Sequence, residues 1–187
     1  MDKIIRRWEW RAFGSHFETA EKVFASMTPL GDPAESDETY ILGPGDVNVK
    51  IRFSLLDIKK LMEVDANGLE LWTPISKVEF PVPAEAALEV FDAWGLDRPG
   101  SDREIYELDH FLDELIDPHP ELEIVSVHKR RVRYSFDGCM SELTEISANG
   151  REARTIAVED PDQATVVSNV EQLGVSDHVN MSYNRGL

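Results

Sequence analysis

The 187 residues contain one cysteine, Cys139, so no internal disulfide can form and no cysteine cluster can hold zinc. Long apolar runs are also missing. The opening segment Met1-Asp2-Lys3-Ile4-Ile5-Arg6-Arg7-Trp8-Glu9 is too charged for the apolar stretch of a signal peptide, and no later segment resembles a membrane span. These absences predict a cytoplasmic chain without a membrane partner. No Gly-Lys-Ser/Thr exists for a P-loop, and Gly43-Pro44-Gly45 is followed by Asn48 where a dinucleotide fingerprint needs its third glycine. No Gly-x-Ser-x-Gly elbow occurs, and His16, His110, His119, His128 and His178 lack His-Glu-x-x-His spacing. Positive charge is scarce, with 19 Lys and Arg against 36 Asp and Glu, a net charge of −17. That balance disfavours a general nucleic-acid surface or an anionic-membrane anchor, because each would work against long-range repulsion.

What is present is enough for a core. Hydrophobic residues make up 42% of the chain, which excludes wholesale disorder, and the length suits one domain over residues 1–187. The charge is unevenly spread. Residues 1–81 hold 14 acids and 10 bases, residues 82–123 hold 13 and 2, and residues 124–187 hold 9 and 7. The acidic middle reads as two helices. Pro83 suits a first helical position, Ala84, Ala87, Leu88 and Phe91 recur at helical spacing, and Gly95 supplies a left-handed stop. Ser101 and Glu104 form a capping-box pattern, Ile105, Leu108, Leu112, Leu115 and Ile116 make an apolar stripe, and Pro118 ends it.

The flanks read mostly as strands, at 5–13, 38–42, 47–56, 58–64, 68–73, 76–80, 123–136, 139–147 and 153–159. Turn signals at Gly43-Pro44-Gly45-Asp46, Asp65-Ala66-Asn67-Gly68, Asp137-Gly138 and Asn149-Gly150 separate many of them. A helix is predicted from Ser15, with Glu18 as capping partner, to about Met27; another runs from Pro161 to Gly174, while 28–37 is loop-like.

The informative feature is where the cations fall on these strands, since side chains two apart share a face. Arg7, Glu9 and Arg11 oppose Trp8 and Trp10; Lys50 and Arg52 oppose Val49, Ile51 and Phe53; Lys129, Arg131 and Arg133 oppose Val132, Tyr134 and Phe136. Either an antiparallel sheet has one wet side, or a barrel closes around its charged faces. A cation-lined lumen with carboxylates at Glu9, at Glu142 or Glu145, and at Glu159 suits a polyphosphate chelated to Mg²⁺ or Mn²⁺.

The order of these features resembles the CYTH superfamily, the triphosphate tunnel metalloenzymes that include class IV adenylyl cyclases, thiamine triphosphatases and inorganic tripolyphosphatases. That family opens with a Glu-x-Glu-x-Lys strand, continues with Arg/Lys-x-Arg strands, and later has a Glu-x-Glu strand before a helix ending in Leu-Gly. Here Arg7-Trp8-Glu9-Trp10-Arg11 stands first, Lys50-Ile51-Arg52 and Arg131-Val132-Arg133-Tyr134 second, and Ala157-Val158-Glu159 before Leu173-Gly174 third. The tail Ser182-Tyr183-Asn184-Arg185-Gly186-Leu187 is similar to the family's closing segment, so the likeness spans almost the whole chain. Arg7, Arg11 and Ala157 depart from the motif's glutamate, lysine and glutamate, removing two potential metal ligands.

The resemblance implies an α+β protein, an antiparallel eight-stranded tunnel-like barrel decorated by about four helices. It implies Glu9 and Glu159 as metal ligands, with Glu145 or Glu142 as a third, and Glu9, Arg11 and Glu159 at the catalytic centre. Lys50, Arg52, Arg131 and Arg133, with Lys60, Lys77 and Arg185, are implied phosphate contacts. The expected function is metal-dependent hydrolysis of a linear triphosphate: tripolyphosphate, short polyphosphate or a nucleoside triphosphate. Three alternatives accompany it: a non-catalytic polyphosphate-binding module, a class IV-type adenylyl cyclase, and an acidic docking face for a basic protein. A homodimer is compatible with all of them.

Overall fold

Tight reversals set the sheet. Residues 5–187 are described in the computed structural model; the leader reading from Met1–Ile4 lies outside them. Asp137-Gly138 and Asn149-Gly150 both adopt positive φ at the two central positions, the backbone of a type I′ hairpin. They join β8 (Glu123–Phe136), β9 (Cys139–Ala148) and β10 (Arg151–Asp160) into a meander. Phe53-Ser54 makes the same left-handed reversal without a glycine, at φ 50° and 60°. It separates β3 (Val47–Arg52) from β4 (Leu55–Val64), so the predicted strand 47–56 is cut short and Phe53 is exposed at the tip. The predicted strands 68–73 and 76–80 are one strand, β5 (Glu70–Glu79), with its pairing irregular opposite Ile58 and Lys59.

With β1 (Arg7–Gly14) and β2 (Ala34–Leu42), these strands close an antiparallel eight-stranded barrel in the order β1-β10-β9-β8-β2-β3-β4-β5. The closure is the pairing of Glu9 with Glu159 on one side and with Glu70 on the other. β2 begins inside the segment read as a loop, at residue 34, because Ala34 to Leu42 pair continuously with β8.

Helices cover the outside. α1 (Glu18–Ala25) has Phe17 as N-cap, and the Glu21 carboxylate accepts the Phe17 amide hydrogen, so the predicted Ser15 cap is displaced by two residues. α2 (Ala84–Trp94) stops at left-handed Gly95, as predicted, but Pro83, read as its first helical residue, is an extended N-cap before it. The Ser101–Glu104 cap does not form. Val82–Pro83 (β6) instead pairs with Ile105–Tyr106 (β7), the Ser101 hydroxyl contacts the Tyr106 hydroxyl, and α3 begins at Leu108 and continues as a π-helical stretch, Phe111–Ile116. α4 (Gln163–Gln172) is capped by the Asp162 carboxylate, which accepts from the Ala164 and Thr165 amides. A fifth short helix, α5 (Tyr183–Gly186), forms in the tail.

Two apolar layers hold the helices down. Val47, Val49, Ile51, Leu56 and Ile58 meet Val90, Phe91, Trp94, Phe111, Leu115 and Ile116 on one flank. Trp10, Ile156 and Val158 meet Phe24, Val166, Val170 and Leu173 on the other, with Cys139 buried among them. A third layer lies inside the barrel. Tyr40, Val125, Val127 and Ile146 pack with Phe13, Leu42, Tyr183 and Leu187, filling one end. The apolar faces of the strands therefore support the helices, and the charged faces look inward. Among the described residues no helix is long and apolar enough to cross a membrane.

Candidate functional site

The inward faces enclose a cavity of about 500 Å³ open at the end opposite the apolar plug. Among the described residues nine Lys and Arg side chains line it against four carboxylates, the reverse of the charge balance of the whole chain. Side chains two apart along β8 supply Lys129, Arg131 and Arg133; β3 supplies Lys50 and Arg52, β1 Arg7 and Arg11, β4 Lys59, and β5 Lys77. Alternation alone produces this concentration of charge.

The deepest polar group is a buried cluster. The Lys129 ammonium lies 3.0 Å from Glu38 Oε2, donates to the Tyr40 hydroxyl at 2.6 Å, and sits 3.5 Å from the centre of the Tyr183 ring. Glu38 Oε1 receives Arg131 Nη2 at 3.1 Å and Arg52 Nη1 at 3.5 Å. Burial alone would raise the Glu38 carboxyl, but Lys129, Lys50 and Arg131 hold it at about 2. Burial brings Lys129 down to about 7 against the attraction of Glu38, with Arg11 and Lys50 pushing the same way. Lys50, near Asp57 at 3.9 Å, is also lowered by burial.

Arg11 organises the adjoining carboxylates. Its Nε donates to Glu9 Oε1 at 3.0 Å, Nη1 to the Thr155 hydroxyl at 3.0 Å, and Nη2 to Glu142 Oε1 at 3.2 Å. Glu142 Oε2 lies 3.3 Å from Arg131 Nε, and these arginines keep its carboxyl low despite burial. Glu159 stands beside Glu9 on the neighbouring strand and takes one ion pair, from Arg7 at 3.2 Å. Burial and the adjacent Glu9 raise its carboxyl.

The sequence-predicted residues divide clearly. Glu9, Arg11, Lys50, Arg52, Lys77, Arg131, Arg133 and Glu159 all line the cavity. Glu145 does not. It projects from the outer face, where it pairs with Arg130 and Arg154 at 3.4 Å each, and Glu142 takes the interior position. Lys60 is exposed and its neighbour Lys59 lines the cavity instead, because side chains alternate sides along β4. Arg185 pairs with buried Glu70, whose other oxygen accepts the Trp72 indole N–H at 3.0 Å, and so is not a cavity residue. Lys129, Lys59, Arg7 and Glu38 were not among the predicted contacts. Lys129 was legible, being in step with Arg131 and Arg133; Glu38 carries no sequence signal that separates it from the chain's other acids.

The carboxylates allow a limited role for a divalent metal. Among the described residues no group of three or more His, Cys, Asp or Glu is disposed to hold an ion. Both oxygens of Glu142 face arginines. Among the described residues, Glu9 and Glu159 each have only one oxygen in an ion pair, and they form a like-charge pair across the β1–β10 register. Two carboxylates fit one Mg²⁺ or Mn²⁺ shared with ligand phosphates, the usual manner of binding for Mg²⁺, and do not make an all-protein cage.

No protein-family model matches the chain, and no curated protein matches it. Solved structures do. A Bacillus halodurans protein described as a candidate adenylate cyclase aligns over 95% of this chain and 95% of its own, at 16% identity and a TM-score of 0.51. A conserved hypothetical protein from Pyrococcus furiosus aligns over 94% of this chain and 98% of its own, at 18% identity and a TM-score of 0.52. These likenesses show a shared fold, the closed antiparallel eight-stranded barrel that was expected, with five helices among the described residues where about four were expected.

Proposed function

We propose that this protein is a phosphohydrolase that holds a linear triphosphate in the barrel and releases its terminal phosphoryl group to water. The observation that carries the reading is the inversion of charge: among the described residues, nine cations against four carboxylates line an interior cavity of a chain whose net charge is −17. Such a cavity needs an anion with several charges, and a phosphate chain supplies them along a line.

Arg131 and Arg52 grip nonbridging oxygens with planar donor pairs, which a lysine cannot match, and Lys50 and Lys129 act as point charges. Arg11 is always protonated, so it orients Glu9 and Glu142 and takes no proton from water. Glu9 and Glu159 would hold one Mg²⁺ or Mn²⁺, which when bound neutralises phosphoryl charge and makes water a better nucleophile. Burial and the adjacent Glu9 raise the Glu159 carboxyl, a like-charge repulsion that a cation held between the two would relieve.

A second reading, binding of polyphosphate without turnover, is favoured by one observation: Glu142 is committed to Arg11 and Arg131, and position 157 is an alanine. Phosphate release from tripolyphosphate, short polyphosphate and nucleoside triphosphates, with Mg²⁺ or Mn²⁺, separates the two. Hydrolysis predicts release by the wild type and a loss of about 100-fold or more in Glu159→Gln. Tight binding with no release by either protein supports the binder.

A further inference from the structure

The cavity is layered from floor to mouth. At the floor, against the apolar plug, the Lys129 side chain is fully buried and already holds Glu38 and Tyr40. Farther out come Arg7, Arg52 and Arg133, toward the ends of β1, β3 and β8 that lie away from the plug. Beyond these cations the lining changes character. Ile5 precedes Arg7 by two residues, the Leu30 amide donates to the Arg133 carbonyl at 2.8 Å, and Met140 lies two residues outside Glu142 on β9, in register with Glu159. All three line the cavity. Phe53 follows Arg52 at the β3–β4 tip, with the guanidinium 5.8 Å from its ring centre.

Of the nine large apolar side chains left exposed among the described residues, four are these, from 41% exposed at Met140 to 75% at Phe53. They come from four separate segments: the residues before β1, the α1–β2 connection, the β3–β4 turn and the start of β9. Apolar groups scattered singly on a surface need no explanation, but four gathered on one rim do. Phe53 also stands at φ 50°, a conformation that a bulky side chain rarely adopts. An occupant of this pole has to be anionic toward the floor and apolar toward the solvent. A nucleobase would want a free aromatic face, and the cavity's tyrosines are already stacked, Tyr40 on Tyr183 at 5.0 Å and Tyr134 on Phe24 at 4.4 Å. The Trp72 indole N–H is held by Glu70. The rim's aliphatic side chains instead offer contact area without direction, which suits hydrocarbon.

Resting on the phosphate-chain reading above, we propose that Ile5, Leu30, Phe53 and Met140 form a subsite for an aliphatic group, so that the ligand is a polyphosphate ester of an aliphatic alcohol. Its phosphates meet the cations of the cavity and its hydrocarbon lies across the rim. The ester is taken from solution, since a chain of net charge −17 is repelled by an anionic bilayer.

Calorimetry on the intact chain, in EDTA and again with Mg²⁺, tests this with inorganic tripolyphosphate, methyl triphosphate, hexyl triphosphate and adenosine triphosphate. The two alkyl esters carry the same charge and differ by five methylenes. We expect the hexyl ester to bind about 30-fold more tightly than the methyl ester, half the logarithmic gain of burying five methylenes completely. It should also bind more tightly than adenosine triphosphate. In the double variant Leu30→Ser, Met140→Ser, which alters exposed side chains, the hexyl-to-methyl ratio should fall to about threefold or less. A wild-type ratio below about threefold, a ratio unchanged in the double variant, or tighter binding of adenosine triphosphate than of the hexyl ester overturns the inference; if tripolyphosphate binds, the phosphate-chain reading stands. Absence of binding by all four under both conditions overturns both. Sedimentation with phosphatidylcholine vesicles gives a separate measure: protein left in the supernatant supports a ligand taken from solution, and co-sedimentation overturns it in favour of a bilayer against the rim.

Discussion

Arg11 and Glu142 meet across Ala157. The arginine is on β1 and the glutamate on β9, with β10 between them, and Ala157 is the register partner of both. The 3.2 Å contact exists because the side chain in the middle is a single methyl group. Removing the guanidinium leaves two buried carboxylates without their shared cation. Arg11→Ala is expected to cost about 3–5 kcal/mol in urea unfolding. Arg11→Lys should recover only part of this, because one ammonium cannot serve Glu9, Thr155 and Glu142 in the guanidinium's planar geometry.

Glu38 is the counter-charge for three cations. Its folded carboxyl sits at about 2 against an ordinary 4.5, so its contribution to stability is in place above pH 4.5 and is lost as pH falls toward 2. Glu38→Gln should destabilise the chain by about 3–5 kcal/mol at neutral pH by leaving Lys129, Arg131 and Arg52 unbalanced. Adding tripolyphosphate should raise the melting temperature more in this variant than in the wild type, since the ligand replaces the missing charge.

Lys129 gives the opposite dependence. Folding brings its ammonium from 10.5 to about 7, so the unfolded chain holds more protons between those values. This group therefore makes the ligand-free fold more stable as pH rises from 7 to 10.5, while an anion at the floor requires the proton back. Tripolyphosphate affinity, measured by calorimetry from pH 6 to 9, should fall above pH 7. Lys129→Arg, which stays charged, should flatten that fall relative to the wild type.

Arg131 and Lys60 make a matched comparison. Arg131→Ala removes a buried cavity cation and should weaken tripolyphosphate binding by about 1.5–3 kcal/mol, roughly 10- to 150-fold. Lys60→Ala and Glu145→Ala alter exposed charges outside the cavity and should change binding by less than about 1 kcal/mol. A titration series at fixed ionic strength distinguishes the two outcomes.

The two-faced strands were legible because charged and apolar side chains alternate with a period of two, so that Lys129, Arg131 and Arg133 announce one side and Val132 and Tyr134 the other, whereas closure of the sheet into a barrel rested on the family resemblance alone. The hairpins at Asp137-Gly138 and Asn149-Gly150 announced themselves by residue type. Phe53-Ser54 did not, because neither residue is typical of a left-handed turn. The choice between Glu142 and Glu145 needed the β9 register, which a single sequence does not carry. The closed floor was the hardest feature to read. It depends on Asn180 and Asn184 finding backbone carbonyls more than a hundred residues away, and the tail gives no periodic signal that it enters the barrel.

The acidic helices on the outside affect how fast a ligand arrives. A polyanion approaching this surface is repelled until it reaches the mouth, where the interior cations take over. Added salt screens the outer repulsion, with a Debye length of about 8 Å at physiological strength, yet reaches the buried floor far less. Entry should therefore quicken with ionic strength over a range where most cation-lined sites slow down, which rapid mixing with tripolyphosphate at stepped salt concentrations would record.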